Sequence, residues 1–369
     1  MKIIDMHCDT IHRIWQENAK TNNATAGKWN LENEELMLNP DKMKRGGYSV
    51  QNFAMFIEAY DDQLKRIDCF ARFKELLAVF KEQMKLYEDR VGVVTNVSEI
   101  LENDTKGRLS AFLTVEGGEA CQGDIEKLHY LYDQGVRMMT LTWNYPNELG
   151  YPNIDRMQME GSTGQVDYTA TSSPYVPDTE HGLTKTGIEF VKEMERIGMI
   201  IDVSHLSDAG FYDVLDNTTK PFVASHSNAR KVCPFVRNLT DEMIRMLGER
   251  GGVTGLNYCH DFLFDNEISM NRAKMNGTSN AEIELSSEKY LDQTCEKIAE
   301  HARHIVNVGG MGVLGLGSDF DGIPPYVGMP EADKLDHLAH ALGKKGFSTD
   351  QIDNIYYGNV MRVYEDVLL

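Results

Sequence analysis

The feature that most restricts the fold is the order of elements: a short apolar or β-branched run followed by a longer amphipathic stretch, eight times over. The runs are Ile3 to Met6, Tyr48 to Ile57, Leu109 to Val115, Arg137 to Thr142, Met199 to Val203, Phe222 to Ala224, Val253 to Asn257 and Val313 to Gly317. Helical patterns lie between them over 62–87, 125–134, 183–197, 208–215, 240–249 and 288–308. Strand and helix alternating eight times predicts an α/β fold, a (β/α)8 TIM barrel. Ser207 and Thr240 are expected N-caps, and Gly135 and Gly198 each close a helix before a strand. The tail, 349–369, reads as one or two closing helices. At 369 residues the chain exceeds the usual single-domain length, but barrels of this kind reach it, so one domain over 1–369 is expected. Two connections, 143–181 and 258–287, are long and polar. Loops of that length are usually functional or mobile, and the first is rich in Tyr, Pro, Asn and Gly, which suits a pocket wall.

Hydrophobic residues make up 41% of the chain, enough for a full-sized core. The net charge of -20, with no run of Lys and Arg, argues against nucleic acid and anionic membrane surfaces as partners. Six cysteines stand without a CxxC pair or regular spacing, which suits free thiols in a reducing compartment. No leader pattern opens the sequence, and no stretch approaches the roughly 20 apolar residues of a membrane span. A cytoplasmic location is the expectation.

Such a barrel presents its chemistry at the C-terminal ends of its strands, and there the acids and imidazoles collect. Asp5-Met6-His7-Cys8-Asp9 closes the first run, with His7 and Asp9 on one side of an extended segment and Cys8 on the other. Glu116 ends the third, His205 the fifth and His226 the sixth, while Asp319 and Asp321 follow the eighth. Three imidazoles and several carboxylates exceed what one tetrahedral zinc needs, so two metals fit better, with Glu116 as the natural bridge. Asp319 is left to take a proton from metal-bound water, with Asp321 as its alternative. Asp5 and Asp202 are expected to support the imidazoles from behind. His12, His129, His301, His304, His337 and His340 read as surface or satisfied core residues, and His181 and His260 sit in the long loops.

These motifs resemble the membrane (renal) dipeptidase family, among the amidohydrolase-like metal-dependent hydrolase barrels. The resemblance rests on Asp5 to Asp9, Glu116-Gly117-Gly118, Gly182-Leu183-Thr184 through His205, Ser225-His226-Ser227 and Gly315 to Gly322, and spans nearly the whole chain. It implies two zinc ions, one held by His7, Asp9 and Glu116, the other by Glu116, His205 and His226. It further implies Asp319 as the acid/base residue and Arg237 as the guanidinium that takes the substrate carboxylate, with Arg230 as a structural decoy. The implied reaction is hydrolysis of a small dipeptide by metal-bridging hydroxide, extending to a C-terminal D-residue and to β-lactams. The alternative is another metal hydrolase of the same barrel type: a deaminase, lactonase or phosphoester hydrolase. A homodimer is implied by resemblance alone. The secretion, disulfide linkage and lipid anchor of the renal enzyme have no counterpart here, so the likeness is to a bacterial-type cytoplasmic relative. One position departs from the pattern: the renal-type histidine after Leu141-Thr142 is replaced by Trp143, with Asn144 beside it as a candidate substrate donor.

Overall fold

A computed structural model describes residues 1–20, 28–61, 63–156, 175–264, 287–324 and 328–369. It contains nine parallel strands among those residues: β1 (Ile3–Cys8), β2 (Tyr48–Phe56), β3 (Val91–Val94), β4 (Leu109–Glu116), β5 (Met138–Thr140), β6 (Ile200–Asp202), β7 (Val223–Ala224), β8 (Val253–Leu256) and β9 (Leu314–Leu316). Eight of them run β2-β1-β9-β8-β7-β6-β5-β4, and pairing of β2 with β4 closes the ring. This is the expected (β/α)8 barrel. The ninth, β3, was not expected. It pairs with the first half of β4, Val91 opposite Leu109 through Val94 opposite Phe112, while β5 takes the second half. β3 therefore extends the sheet at the N-terminal end of β4 without entering the ring.

The strands are buried on both faces, as parallel strands under helices must be. Ile4, Val50, Phe112, Met138, Ile200, Val223 and Val253 form an inner cluster with Val360, Val363 and Tyr364 of the last helix, Asn359–Val367. Tyr364 stacks on Phe112 with ring centroids 4.8 Å apart and donates its hydroxyl to Asn52 Oδ1 at 2.8 Å. The tail thus plugs the end of the barrel opposite the strand C-termini. Alternate residues such as Ala111, Leu113, Val115, Met139 and Leu256 face the helices. On β4 this alternation sends Phe112, Thr114 and Glu116 inward together.

Helix starts follow capping chemistry more closely than apolar periodicity. The pattern over 62–87 becomes a helix only at Cys69–Leu86, because Asp68 caps it by accepting from Ala71 N, and the preceding residues turn through a Tyr60 to Arg66 bridge. Thr184, Ser207 and Thr240 each cap their helix through a side-chain oxygen. The middles of both long predicted loops, 157–174 and 265–286, lie outside the described residues. Among the described residues no helix is long and apolar enough to cross a membrane.

Candidate metal centre

The strand C-termini deliver six of the expected side chains, His7, Asp9, Glu116, His205, His226 and Asp319, to one point. His7 arrives through an irregularity. Ile4 and Met6 face the inner cluster, so strict alternation would turn His7 outward; the β1 register shifts between Asp5 and Cys8, and Cys8 packs outward instead. His7 Nε2 then lies 3.5 Å from Asp9 Oδ2, 3.4 Å from Glu116 Oε2 and 3.8 Å from Asp319 Oδ1. On the other side Glu116 Oε1 lies 2.9 Å from His205 Nε2 and 3.5 Å from His226 Nε2. The two oxygens of Glu116 face two different sets of donors.

His205 and Asp319 reach these positions on backbone with φ of 71° and 66°, a region non-glycine residues rarely adopt. Close approach is helped by glycine: a Cβ on Gly317 would stand 1.8 Å from Ser225 O, and one on Gly322 only 2.0 Å from Asp9 Oδ2.

The donor set fits divalent cations. His205 Nδ1 is 2.8 Å from Asn144 Oδ1, an acceptor, so that nitrogen carries the proton. His226 Nδ1 is 2.7 Å from Ser225 Oγ, which donates onward to Asp202 Oδ2 at 2.6 Å, so His226 is protonated at Nδ1 too. Both Nε2 lone pairs are then left facing each other at 3.0 Å, with Glu116 Oε1 beside them. Acceptors converging in this way call for a positive charge among them. Burial holds both imidazoles well below their ordinary pKa, in the neutral form that binds metal. Burial opposes charge on His7 as well, but Glu116 and Asp9 outweigh it and hold its pKa well above the usual value. His7 Nδ1 and Nε2 and Asp9 Oδ1 have no hydrogen-bond partner although all are buried.

The supporting residues divide differently from expectation. Asp202 does act behind an imidazole, through Ser225, and also accepts from Thr140 Oγ1 and from Ser204 N and Ser225 N. Asp5 does not touch the His7 ring; its Oδ1 accepts from His7 N and Ser318 N, joining β1 to the loop after β9. Asp321 is engaged elsewhere, accepting from Thr10 Oγ1, Arg13 Nη1 and Met37 N. The eighth strand's two acids therefore differ in kind: Asp319 faces the cluster and Asp321 ties the loop to the first helix.

Arg230 forms a two-pronged pair with Asp208, both contacts 2.7 Å. Arg237 is 3% exposed, and no carboxylate of the described residues pairs with it. It reaches Ser227 Oγ and His226 O at 3.3 and 3.4 Å, and its guanidinium lies 5.4 Å from the Phe262 ring centroid. Above the cluster opens a cavity of about 380 Å³ lined by Asp9, Glu116, Asn144, His205 and Asp319, with His12, Phe56, Trp143 and Phe262 as apolar and aromatic walls. Trp143 packs edge-on against Phe56 with centroids 4.7 Å apart. A larger cavity, about 540 Å³, lies by Tyr151, Asp178 and the exposed His181, and none of the clustered donors lines it.

Glu119, which sequence patterns did not single out, is fully buried beneath the loop after β4, with Oε2 accepting from Asn147 Nδ2 at 2.8 Å and Oε1 unpartnered. Burial raises its pKa from 4.5 to about 7. The folded protein keeps this proton where the unfolded chain loses it, so the group's contribution to stability is full below pH 4.5 and is lost as pH rises through 7. Glu119→Gln keeps the shape without the ionisation. We expect it to raise Tm at pH 8 and leave Tm almost unchanged at pH 4; an equal shift at both values in thermal scans would contradict this.

Comparison with known proteins agrees with the geometry. The family model for membrane dipeptidase, peptidase family M19, matches residues 1–368. A Klebsiella pneumoniae protein, described as an uncharacterized protein in the pqqA 5' region, is 29% identical over 291 residues, 79% of this chain and 94% of that one. The dipeptidase verJ of Clonostachys rogersoniana is 31% identical over 282 residues, 76% of this chain but 61% of its own length. Among solved structures, a Rhodobacter sphaeroides metallopeptidase carrying a phosphinate mimic of L-Ala-D-Ala superposes with a TM-score of 0.79 at 24% identity, over 100% of this chain and 99% of that one. With its barrel, its clustered donors and a family match that runs from end to end, the chain belongs to the membrane dipeptidase family, peptidase family M19.

Proposed function

We propose that this metal-dependent dipeptidase works with two zinc ions, one held by His7, Asp9 and Glu116 and the other by Glu116, His205 and His226. The observation that carries the reading is the division of Glu116, whose Oε2 faces His7 and whose Oε1 faces the other two imidazoles. Bound there, the ions would supply Lewis acidity, polarising the scissile carbonyl and bringing the pKa of water towards 7.

The chain's own groups do the rest. Asp319 Oδ1, on the cavity side of the cluster, accepts the proton that water gives up and delivers it to the leaving amine. Arg237, charged and without a carboxylate among the described residues, takes the C-terminal carboxylate of the substrate through two parallel N–H bonds. The acid-rich cluster receives the free amino group, and fixing both ends limits the substrate to two residues. Asn144 spends Oδ1 on His205, which leaves its Nδ2 as the group that faces the substrate in place of the renal-type histidine. Dipeptides with a C-terminal D-residue belong to the proposed substrates; the ligand of the Rhodobacter sphaeroides neighbour supports that class. The six free cysteines, five of them buried, support a cytoplasmic location, and a homodimer rests on resemblance alone.

The carboxylate site is tested by Arg237→Ala. Losing a paired, charge-assisted contact is expected to lower kcat/KM on dipeptides by about 10² to 10³-fold, mainly through KM. Dipeptide amides, which lack the carboxylate, should be poor substrates for both proteins and almost equally so. An unchanged kcat/KM on free dipeptides would move the carboxylate site elsewhere.

A further inference from the structure

The residue after β8, Asn257, has no exposed surface and joins three loops of the barrel mouth. Its Nδ2 donates to Asp319 Oδ2 at 3.0 Å and to His226 O at 3.3 Å, and its Oδ1 accepts from Cys259 N at 2.6 Å. Its backbone is clamped in turn by Asn228, whose Oδ1 accepts from Asn257 N at 3.0 Å and whose Nδ2 donates to Asn257 O at 2.9 Å. Asn228 N donates to Asn238 Oδ1 at 3.1 Å, one residue from Arg237. The amide of Asn257 therefore has one workable orientation. Turned over, its oxygen would oppose the Asp319 carboxylate and its NH2 would oppose the Cys259 N–H.

We infer that Asn257 is a positioning residue for Asp319. By binding Oδ2 it fixes the carboxylate's rotation on a backbone already held at φ 66°, and it leaves Oδ1 as the oxygen presented to the cluster and the cavity. A short acid whose proton must move between two partners needs that constraint, since free rotation would exchange its two oxygens. Through Asn228 and Asn238 the same network runs to the loop carrying Arg237, so the proton carrier and the carboxylate site share one rigid support. The inference rests on the reading of Asp319 as the proton carrier.

The test is a double-mutant cycle on dipeptide hydrolysis with the metal-loaded protein. Asn257→Ser replaces the amide by a hydroxyl one bond too short to reach Asp319 Oδ2, and is expected to lower kcat about 10 to 100-fold, the range for a hydrogen bond to a charged group, with KM within about twofold and metal content unchanged. In an Asp319→Asn background the same change is expected to have almost no further effect. Asn257→Asp, which still accepts from Cys259 N but cannot donate, should repeat this pattern and serves as the second variant if Asn257→Ser folds poorly. Equal proportional losses of kcat in both backgrounds would overturn the inference. Failure of the underlying reading would look different: Asp319→Asn alone would retain near wild-type kcat.

Discussion

Asp319→Asn is expected to cut kcat by about 10³-fold, within the 10² to 10⁴ range for loss of a positioned general acid/base, while metal content and Tm stay close to wild type. The change is isosteric and removes the negative charge, and with it the ability to hold a proton at a carboxylate oxygen. The donors expected to bind metal are left intact, because Asp319 Oδ1 stands 3.8 Å from His7 Nε2 while Asp9 and Glu116 stand closer. Burial raises the pKa of Asp319, with the charge on His7 opposing it. Steady-state kinetics on a dipeptide, together with elemental analysis of the variant, checks the outcome. A kcat within tenfold of wild type would remove Asp319 from the chemistry, and loss of metal would make it a ligand.

Glu116→Gln is expected to be at least as damaging, by a different route. Among the described residues Glu116 alone turns one oxygen to each donor set, so its neutralisation weakens both metal sites together. An amide offers one good oxygen ligand instead of two and no negative charge. Metal content is expected to fall from two ions per chain to less than one after dialysis, with activity reduced by about 10³-fold or more and recovered only in part by excess zinc. Stability should fall as well, since tightly bound metal contributes about 4 kcal/mol at a thousandfold excess over Kd. His205→Ala serves as the comparison, because its effect should be confined to one ion. A Glu116→Gln protein that keeps both ions would contradict the bridging role.

Much of the barrel is legible in the sequence because buried parallel strands are short apolar runs with helix-length spacers, and closure follows from their number. β3 escaped because Val91-Gly92-Val93-Val94 is too short for its period to be read, and because it pairs outside the ring. The ligand types at the strand ends were readable since nothing in barrel stability calls for acids and imidazoles there. What directs them was not. The register shift that turns His7 inward is a property of β1 against β2, and the burial of Glu119 is a property of a loop folding over itself. Asn228 and Asn257 carry no pattern at all, since an asparagine becomes a donor to one oxygen only when another loop brings that oxygen to it. Asp5 shows the converse: its place beside His7 in sequence suggested contact with the ring, and it serves the backbone instead.

Counting metal on the purified protein while assaying a panel of L-L and L-D dipeptides before and after chelation tests the two-metal dipeptidase reading most directly. It predicts two divalent cations per chain and dipeptide hydrolysis that disappears with the metal and returns as zinc is restored towards two equivalents. Dipeptide hydrolysis undiminished in cation-free protein, or a fully loaded protein that hydrolyses no dipeptide, would contradict it.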